Sequence, residues 1–219
     1  VGRIDSLCGT FQETSAVRMD DSTIVHSSSN SAIYGSQTQY TFVNVDITSS
    51  TINGNGGPFV LYANTGVRAI LVDVTINSLP CADAGGKTAD CHTGKNVQMG
   101  LPSPEIYYGT YSNALAYRLG QDASTTPPTP FQIPESGITI TASVVDSNGA
   151  QMFPGKVFNR AVTGADGRTN NVAVITGDDE GVVYDRHIVR ASGPAGAGEV
   201  NPLLDDGTPA TEVMFIDGT

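Results

Sequence analysis

Three consecutive carboxylates, Asp178, Asp179 and Glu180, occupy one turn-like segment of this 219-residue chain. Asp166 lies in the preceding turn and would approach them if the intervening strands form a hairpin. Hard oxygen ligands on loops suit Ca²⁺. No twelve-residue EF-hand pattern is present, so solvated turn residues are the competing interpretation. The sequence therefore offers one candidate calcium site, formed by Asp166, Asp178, Asp179 and Glu180, and indicates no other cofactor.

No catalytic motif accompanies these carboxylates. The histidines His26, His92 and His187 lie far apart, and only folding would bring any of them into a triad. The Gly-x-Ser-x-Gly elbow of hydrolases is absent. Acidic pairs such as Asp20-Asp21 fall in turn-like contexts, where Asp side chains cap the backbone. We therefore predict that the protein is not an enzyme.

The cysteines predict one disulfide. Cys81 and Cys91 flank the polar loop ADAGGKTAD, which a short-range bridge would hold in shape. Zinc is the rival interpretation, because His92 follows Cys91. However, adjacent residues rarely ligate one ion, and a Cys-x-x-Cys spacing is missing. Cys8 is left over, and its state is open.

A cluster of tyrosines is the other feature with chemical potential. Tyr107, Tyr108, Tyr111 and Tyr117 share one segment, and tyrosine rings offer large amphipathic faces at a small entropic cost. They indicate either a sugar-stacking surface or ordinary packing in the core and at its rim. Packing is the favoured interpretation.

Period-two alternation of apolar residues dominates the elements that must position these groups. Three runs of about ten residues, 38–48, 67–77 and 137–146, alternate as strands do. Asn, Asp and Gly cluster between the runs, and no segment shows a helical period, so the fold class is all-β. On strict alternation we expect six side chains to be buried together: Val43, Val45, Ile47, Ile70, Val72 and Val74.

Two all-β architectures fit this pattern. A β-sandwich of the jelly-roll or immunoglobulin-like type is favoured, because about ten strands with long connections are available. A short right-handed parallel β-helix is the alternative, since residues 32–47 and 60–76 resemble each other at an offset of about 28 residues, the length of one coil. Past Leu79 the period fails, and no third copy is apparent.

The second half of the chain carries a loose resemblance. Residues 137–191 resemble the immunoglobulin-like repeats of bacterial surface proteins: a strand ITITASVVD, then SNGAQ, then a second strand that ends in a Gly-Ala-Asp-Gly turn. The resemblance covers about a quarter of the chain and implies no function. We predict one β domain over residues 1–191, with an optional sub-boundary at the proline-rich segment 122–136.

Composition limits the partners and the location. Acidic residues outnumber basic ones 22 to 11, for a net charge of −11. A protein that binds nucleic acid needs clustered cations, so no nucleic-acid partner is expected. No run approaches the roughly 20 apolar residues of a membrane helix, so no membrane insertion is expected either. The disulfide, and Val1 in place of Met, favour an extracellular, cell-surface or virion location.

The C-terminal segment suggests how the chain associates. Residues 192–219 form a tether rich in Gly and Pro that ends in an apolar strand with Val213, Met214, Phe215 and Ile216. Such a strand completes its own sheet or adds to that of a neighbour. The first functional hypothesis is therefore a structural subunit that assembles with copies of itself into a filament, shell or surface layer. The alternative is a secreted β protein that binds or cleaves carbohydrate.

Overall fold

The computed structural model describes residues 4–5, 15–27, 30–36, 38–50, 59–83, 85–89, 91–122, 124–127, 129–146, 148–154, 158–192, 197–198 and 212–217. Its strands are β1 (Ile4–Asp5), β2 (Ser15–His26), β3 (Ile33–Gly35), β4 (Thr38–Ser49), β5 (Leu61–Ala63), β6 (Arg68–Ile76), β7 (Leu79–Pro80), β8 (Ala82–Asp83), β9 (Gly86–Lys87), β10 (Thr93–Lys95), β11 (Glu105–Asp122), β12 (Thr129–Pro134), β13 (Thr139–Val144), β14 (Ala161–Val162), β15 (Arg168–Asp178), β16 (His187–Ser192), β17 (Ala197–Gly198) and β18 (Glu212–Asp217).

The protein is all-β, as the alternation predicts, because every regular element among the described residues is a strand. Within those residues no helix is present that could span a membrane. The chain divides into two compact units. The first consists of Val1–Thr110 and Ile175–Val183, and the second of Tyr111–Val174 and Tyr184–Thr219. The proline-rich segment 122–136 lies inside the second unit.

Two parallel sheets build the first unit. One has the strand order β1, β3, β5, β10, and in the other β2, β4, β6 and the start of β11 are neighbours. Each short strand of the first sheet is followed along the chain by a strand of the second, so the chain visits both sheets in every repeat. We call these two sheets the parallel stack. Its core lies between them and includes Ile33, Leu61, Phe42 and Leu71.

The register of the parallel stack confirms the repeat seen in the sequence. Ile33 pairs with Leu61, an offset of 28 residues. A third copy also exists, which corrects the expectation that the period fails past Leu79: Leu61 pairs with Thr93 at an offset of 32 residues. An insertion lengthens this copy. It comprises β7, β8 and β9 and is closed by the disulfide between Cys81 and Cys91, whose Cα atoms are 4.5 Å apart.

A row of left-handed residues bends the long strands of the parallel stack at one level. Asp21, Asn44 and Asp73 have φ angles of 48°, 52° and 49°. They are neighbours, because the registers on either side of each residue place them opposite one another. Asn and Asp tolerate this conformation better than other residues with a Cβ. Asn44 Nδ2 donates a 2.6 Å hydrogen bond to Asp21 Oδ1. Burial, and then the charge of Asp46, raise the pKa of Asp73.

This row shifts the phase of the alternation, and so the prediction of one continuous buried face is wrong. Before Asn44 the side chains of Tyr40 and Phe42 face the core, and after it those of Val45 and Ile47 do. All six predicted side chains are buried. However, Val45, Ile47 and Val74 belong to the core of the parallel stack, whereas Val43, Ile70 and Val72 lie on the opposite face.

The parallel pairing also departs from the favoured architecture. Jelly rolls and immunoglobulin-like sandwiches are built from antiparallel strands. In the first unit, consecutive long strands are instead separated by a short strand of the other sheet and pair parallel. Period two reports that a segment is a strand, but it carries no information on the direction of the partner strand.

The second unit is built differently. Strand β13 pairs antiparallel with β14 and with β16, which gives a three-stranded sheet. Ile140, Ala142 and Val189 on this sheet pack against Ala116 of β11 and Val174 of β15. The unit therefore has two layers around a core of small side chains. The parallel pairing that characterises the first unit does not occur in this three-stranded sheet.

The C-terminal strand lies in the second unit of its own chain. β18 pairs parallel with β11, so that Val213 is opposite Ala116 and Met214 is opposite Tyr117. β17 pairs antiparallel with the other end of β18, which places Ile216 opposite Gly198. Phe215 is opposite Arg118. Exchange of this strand between copies stays a prediction.

Candidate functional site

The outer face of the first parallel sheet carries a row of aromatic rings. β3 and β5 pair in register, so Tyr34 is directly opposite Tyr62. The residues on either side, including Ile33 and Leu61, face the core, and successive side chains of a strand point to opposite faces. Tyr34 and Tyr62 therefore point outward. Their rings are stacked, with centroids 5.8 Å apart and planes inclined by 10°.

Phe59 extends this row by one position. Its ring centroid lies 6.0 Å from that of Tyr62. The next residue in register with Tyr62 is Gly94 of β10. A Cβ added to Gly94 would lie 2.4 Å from an atom of the Phe59 ring, so only glycine leaves room for the ring to cover this position. Tyr34, Tyr62 and Phe59 are all half-buried, and we call them the aromatic ladder.

A pair of amides borders the aromatic ladder. Asn64 Nδ2 donates a 3.0 Å hydrogen bond to Tyr34 Oη, and Asn96 Nδ2 donates a 3.2 Å hydrogen bond to Asn64 Oδ1. Asn64 Oδ1 also accepts from the backbone N–H of Thr65, at 2.9 Å. These bonds fix the orientation of both amides and of the Tyr34 ring. The side chains of Asn64 and Asn96 are half-buried.

The ladder and its amides combine two kinds of surface. The aromatic rings follow one another at a spacing of about 6 Å along the direction in which the strands stack. Amide and phenol groups at their border donate and accept hydrogen bonds. A sugar chain has apolar C–H faces and hydroxyl-bearing edges, so this combination suits a saccharide.

The predicted calcium ligands have other partners in the structure. Lys95 Nζ lies 2.8 Å from Asp179 Oδ2 and 3.3 Å from Glu180 Oε1. Asp178 Oδ1 accepts hydrogen bonds from the backbone N–H groups of Glu180 and Val182, at 2.9 and 3.0 Å. The positive charge beside this turn is therefore the Lys95 ammonium group. Burial alone would lower the pKa of Lys95, but the hydrogen bonds and charges of Asp179 and Glu180 together raise it.

Asp166 caps its own turn, because its Oδ1 accepts a 3.0 Å hydrogen bond from the backbone N–H of Arg168. It belongs to the second unit, whereas Asp178, Asp179 and Glu180 belong to the first. Over the part of the chain that the structure describes, no three His, Cys, Asp or Glu side chains are grouped to hold a metal ion. The calcium site stays a prediction.

The tyrosine cluster of β11 is divided between the two units. Tyr107 and Tyr108 belong to the first unit and Tyr111 and Tyr117 to the second. Tyr108 is fully buried, and its hydroxyl lies 2.9 Å from Thr93 Oγ1. Burial raises the pKa of Tyr108. This tyrosine is a core residue, which agrees with the packing interpretation.

His26 and the two bridging cysteines have partners inside the first unit. His26 Nδ1 lies 3.0 Å from Ser49 Oγ, and both side chains are buried. Cys81 and Cys91 form the predicted disulfide and are therefore not free to bind zinc with His92. Cys8 lies outside the described residues.

The sequence contained a signal for the ladder that period-two reading overlooks. Ile33-Tyr34-Gly35 and Leu61-Tyr62-Ala63 are equivalent triplets of the repeat, each with a tyrosine between two buried residues. Comparisons with protein-family models, with curated proteins and with solved structures found no match.

Proposed function

We propose that the chain is a carbohydrate-binding module, in which a polysaccharide chain lies along the aromatic ladder. The observation that supports this proposal is the stacking of Tyr34 and Tyr62 on the outer face of a parallel sheet, with Phe59 held next to them over Gly94. An apolar side chain that only fills the core points inward, whereas Tyr34 and Tyr62 point outward. A ladder on the outside is most useful as a contact surface.

The fold that we infer supports a linear ligand. Two parallel sheets visited in turn by each repeat are the arrangement of a short parallel β-helix, with right-handed crossovers as the general rule for parallel strands. Equivalent residues of a β-helix form rows along its axis, and the aromatic ladder is one such row. The second unit, with its two layers, is where a sandwich of the immunoglobulin-like type fits best.

The disulfide supports a location outside the cytoplasm. Such bridges form and persist in oxidising compartments. The bridge between Cys81 and Cys91 is buried in the core of the parallel stack, so it is part of the folded structure. We therefore place the module at a cell surface or in the extracellular medium, where polysaccharides are available as ligands.

Affinity electrophoresis against a panel of neutral and acidic polysaccharides tests this proposal. Tyr34→Leu and Tyr62→Leu retain an apolar side chain but remove the ring. We expect each to weaken binding at least about tenfold, which corresponds to about 1.4 kcal/mol. Phe131→Leu is the matched control, because Phe131 is an aromatic residue with 50% exposure outside the ladder. Equal retardation of the wild type and the Tyr62 variant would refute the ladder as the binding surface.

Self-assembly is the second candidate function, and the edge of the parallel stack favours it. β2 has twelve residues and pairs with β4 on one side. In the described ranges no strand pairs with its other side. A long open edge is a template for a further strand, including one from another copy. Val25, which is 53% exposed, is an apolar residue on this edge strand.

Light scattering after size-exclusion chromatography separates the two routes of assembly. If the β2 edge pairs between copies, Val25→Lys shifts the protein to monomer, whereas Thr48→Lys on the neighbouring strand β4 does not. If β18 exchanges between copies, deletion of residues 211–219 gives a folded monomer. A wild-type chain that is monomeric at high concentration would eliminate this second function.

A further inference from the structure

Charged residues are absent from the two segments that carry the rings of the aromatic ladder. Residues 27–45, which contain Tyr34, and residues 47–67, which contain Phe59 and Tyr62, include no Asp, Glu, Lys or Arg. The whole chain carries 11 basic and 22 acidic residues, so these two segments differ from the rest of it. The polar groups that they offer a ligand are amides, hydroxyls and the backbone.

The cation nearest to the ladder in sequence is engaged elsewhere. Lys95 follows Gly94 in β10 and is the one Lys or Arg of residues 91–104. Its register partner is Ala63, which faces the core, so Lys95 lies on the core side of the sheet and Gly94 on the outer side. Lys95 Nζ lies 2.8 Å from Asp179 Oδ2. Lys95 therefore does not supply a positive charge to the outer face.

The amide pair beside the ladder has a defined orientation. The backbone N–H of Thr65 donates to Asn64 Oδ1, so this atom must be the oxygen of the amide. The nitrogen of the same amide then donates to Tyr34 Oη. Asn96 Nδ2 must also be a nitrogen, because it meets the oxygen of Asn64. One backbone N–H group thus sets the direction of both amides.

Asn96 ends this chain of hydrogen bonds with groups still available. An amide nitrogen donates two hydrogen bonds and an amide oxygen accepts two. Asn96 uses one N–H on Asn64, and its Oδ1 has no partner among the described residues. This oxygen is also not one of the buried polar atoms that lack a partner, so it is open to solvent. Asn96 can therefore accept a hydrogen bond from a ligand at Oδ1 and donate one from its second N–H.

These groups match a neutral sugar better than an acidic one. A pyranose with equatorial hydroxyls has axial C–H bonds on its faces, which stack on aromatic rings, and its hydroxyls lie around the edge of the ring. Two neighbouring hydroxyls can donate one hydrogen bond and accept another, which is what Asn96 requires. A polysaccharide with carboxylates would find no cation in residues 27–45 or 47–67, and the net charge of −11 would repel it.

We propose that the aromatic ladder is selective for a neutral, linear polysaccharide of pyranoses with equatorial hydroxyls, and that Asn96 is a specificity-determining residue. The rings of Tyr34, Tyr62 and Phe59 stack on the C–H faces of the sugar units. Asn96 binds two neighbouring hydroxyls at the edge of one unit through Oδ1 and its second N–H. The ligand class and the role of Asn96 both rest on the ladder being the binding surface.

Two ligands that differ in one substituent of each sugar ring test the ligand class. Cellohexaose is neutral, and the glucuronate hexamer of the same linkage has a carboxylate in place of each hydroxymethyl group. In isothermal titration at low salt, the wild-type protein should bind the glucuronate hexamer at least about tenfold more weakly than cellohexaose. Its affinity for cellohexaose should not change with added salt, because no ion pair forms.

Tyr62→Leu separates the two ways in which this titration can fail. If both hexamers bind the wild type equally and both are lost in the Tyr62 variant, the neutral selectivity is overturned while the ladder remains the binding surface. If cellohexaose binds the Tyr62 variant as tightly as the wild type, the ladder itself is overturned, and the selectivity with it.

Variants of Asn96 test its role. Asn96→Ala should weaken cellohexaose binding about fivefold, the effect of losing a hydrogen bond between neutral groups. Asn64 keeps its bonds to Thr65 and Tyr34 in this variant, so its orientation is preserved. Asn96→Lys should weaken cellohexaose binding but strengthen binding of the glucuronate hexamer, a change of preference that damage to the fold alone would not produce.

Asn171→Ala is the matched control, because Asn171 is an exposed asparagine of the second unit. It should bind cellohexaose as the wild type does. Wild-type affinity in the Asn96→Ala variant, or an equal loss in the Asn171→Ala control, would refute the role of Asn96.

Discussion

The left-handed row that bends the parallel stack can be tested at Asn44. This residue has a φ of 52°, and its side chain is exposed. We consider its replacement by Gly and by Val. Thr48 in the same strand is the comparison site, because it is also exposed but is not among the residues with positive φ. Replacing Thr48 by Gly and by Val measures the effect of the same substitutions at an ordinary strand position.

The expected free energies follow from the backbone. Both replacements remove the hydrogen bond from Asn44 to Asp21, which is exposed and is worth about 1 kcal/mol at most. Gly also costs about 0.4–1 kcal/mol through the entropy of the unfolded chain, but it adopts positive φ freely. Val must adopt a left-handed conformation that costs about 1–2 kcal/mol, and its β-branch adds to this. Because the lost hydrogen bond is common to both variants, the Asn44→Val variant should be about 1 kcal/mol less stable than Asn44→Gly.

At Thr48 the order should reverse. Gly in a strand costs about 0.5–1 kcal/mol, whereas Val suits an extended strand. Urea unfolding followed by far-UV circular dichroism measures all four variants, since the chain has no Trp for fluorescence. If the Val variant is as stable as the Gly variant at position 44, or if both sites show the same order, then the left-handed conformation of Asn44 is wrong.

Three further predictions concern the first unit. Lys95→Met should cost about 2–3 kcal/mol, because it leaves Asp179, whose side chain is 9% exposed, without its cation; adding Asp179→Asn should recover at least half of this loss in urea unfolding. Replacing both Cys81 and Cys91 by Ser should lower the free energy of unfolding by about 3 kcal/mol in the same assay, because the unfolded chain is no longer closed into a loop with a separation of 10 residues. Added reductant should leave the stability of this double variant unchanged. Burial, and then the charge and hydrogen bond of Glu105, raise the pKa of Tyr107 to about 12, above the value of about 10 for an unfolded chain. The contribution of this pKa shift to the free energy of unfolding should therefore be fully present below pH 10 and should be lost as the pH rises from 10 towards 12. Tyr107→Phe should make the fall in stability over this pH range shallower.

Local chemistry was readable from the sequence. The alternation of apolar residues identified the long strands β4 and β6, and the spacing of Cys81 and Cys91 identified the disulfide. Burial of Val45 and Val74 followed from the same alternation. These features depend on residues that are close in sequence, where side-chain period and loop length carry the information.

Long-range features were not readable in the same way. Strand direction depends on which segments meet, and a parallel partner lies a whole repeat away. Strict alternation predicts the wrong faces for parts of β4 and β6, because it assumes that no residue has positive φ. Asn44 and Asp73 have positive φ. After each of them, the inward-facing and outward-facing positions are exchanged in the remainder of the same strand.

The corrected pattern is itself a sequence motif. In β4 the core positions are Tyr40, Phe42, Val45 and Ile47, with steps of two, three and two residues around Asn44. β6 repeats these steps with Ala69, Leu71, Val74 and Ile76 around Asp73. In β2, Val17, Met19 and Ile24 occupy three of the four equivalent positions around Asp21, and Ser22 occupies the remaining one. An Asp or Asn between two core residues that are three positions apart thus predicts both a strand and the position of its bend.

The insertion that the disulfide closes explains why the third copy of the repeat is not apparent in the sequence. Residues 77–92 separate β6 from β10, and this insertion stretches the offset between equivalent residues from 29 in Tyr40 and Ala69 to 37 in Ala69 and Ile106. An insertion at the corner of a repeat need not disturb the sheets if its two ends remain close. Cys81 and Cys91 hold the ends of their loop with Cα atoms 4.5 Å apart. The bridge therefore lets the chain leave the parallel stack and return to it in register, and Gly94 then meets the aromatic ladder at the position that Phe59 covers.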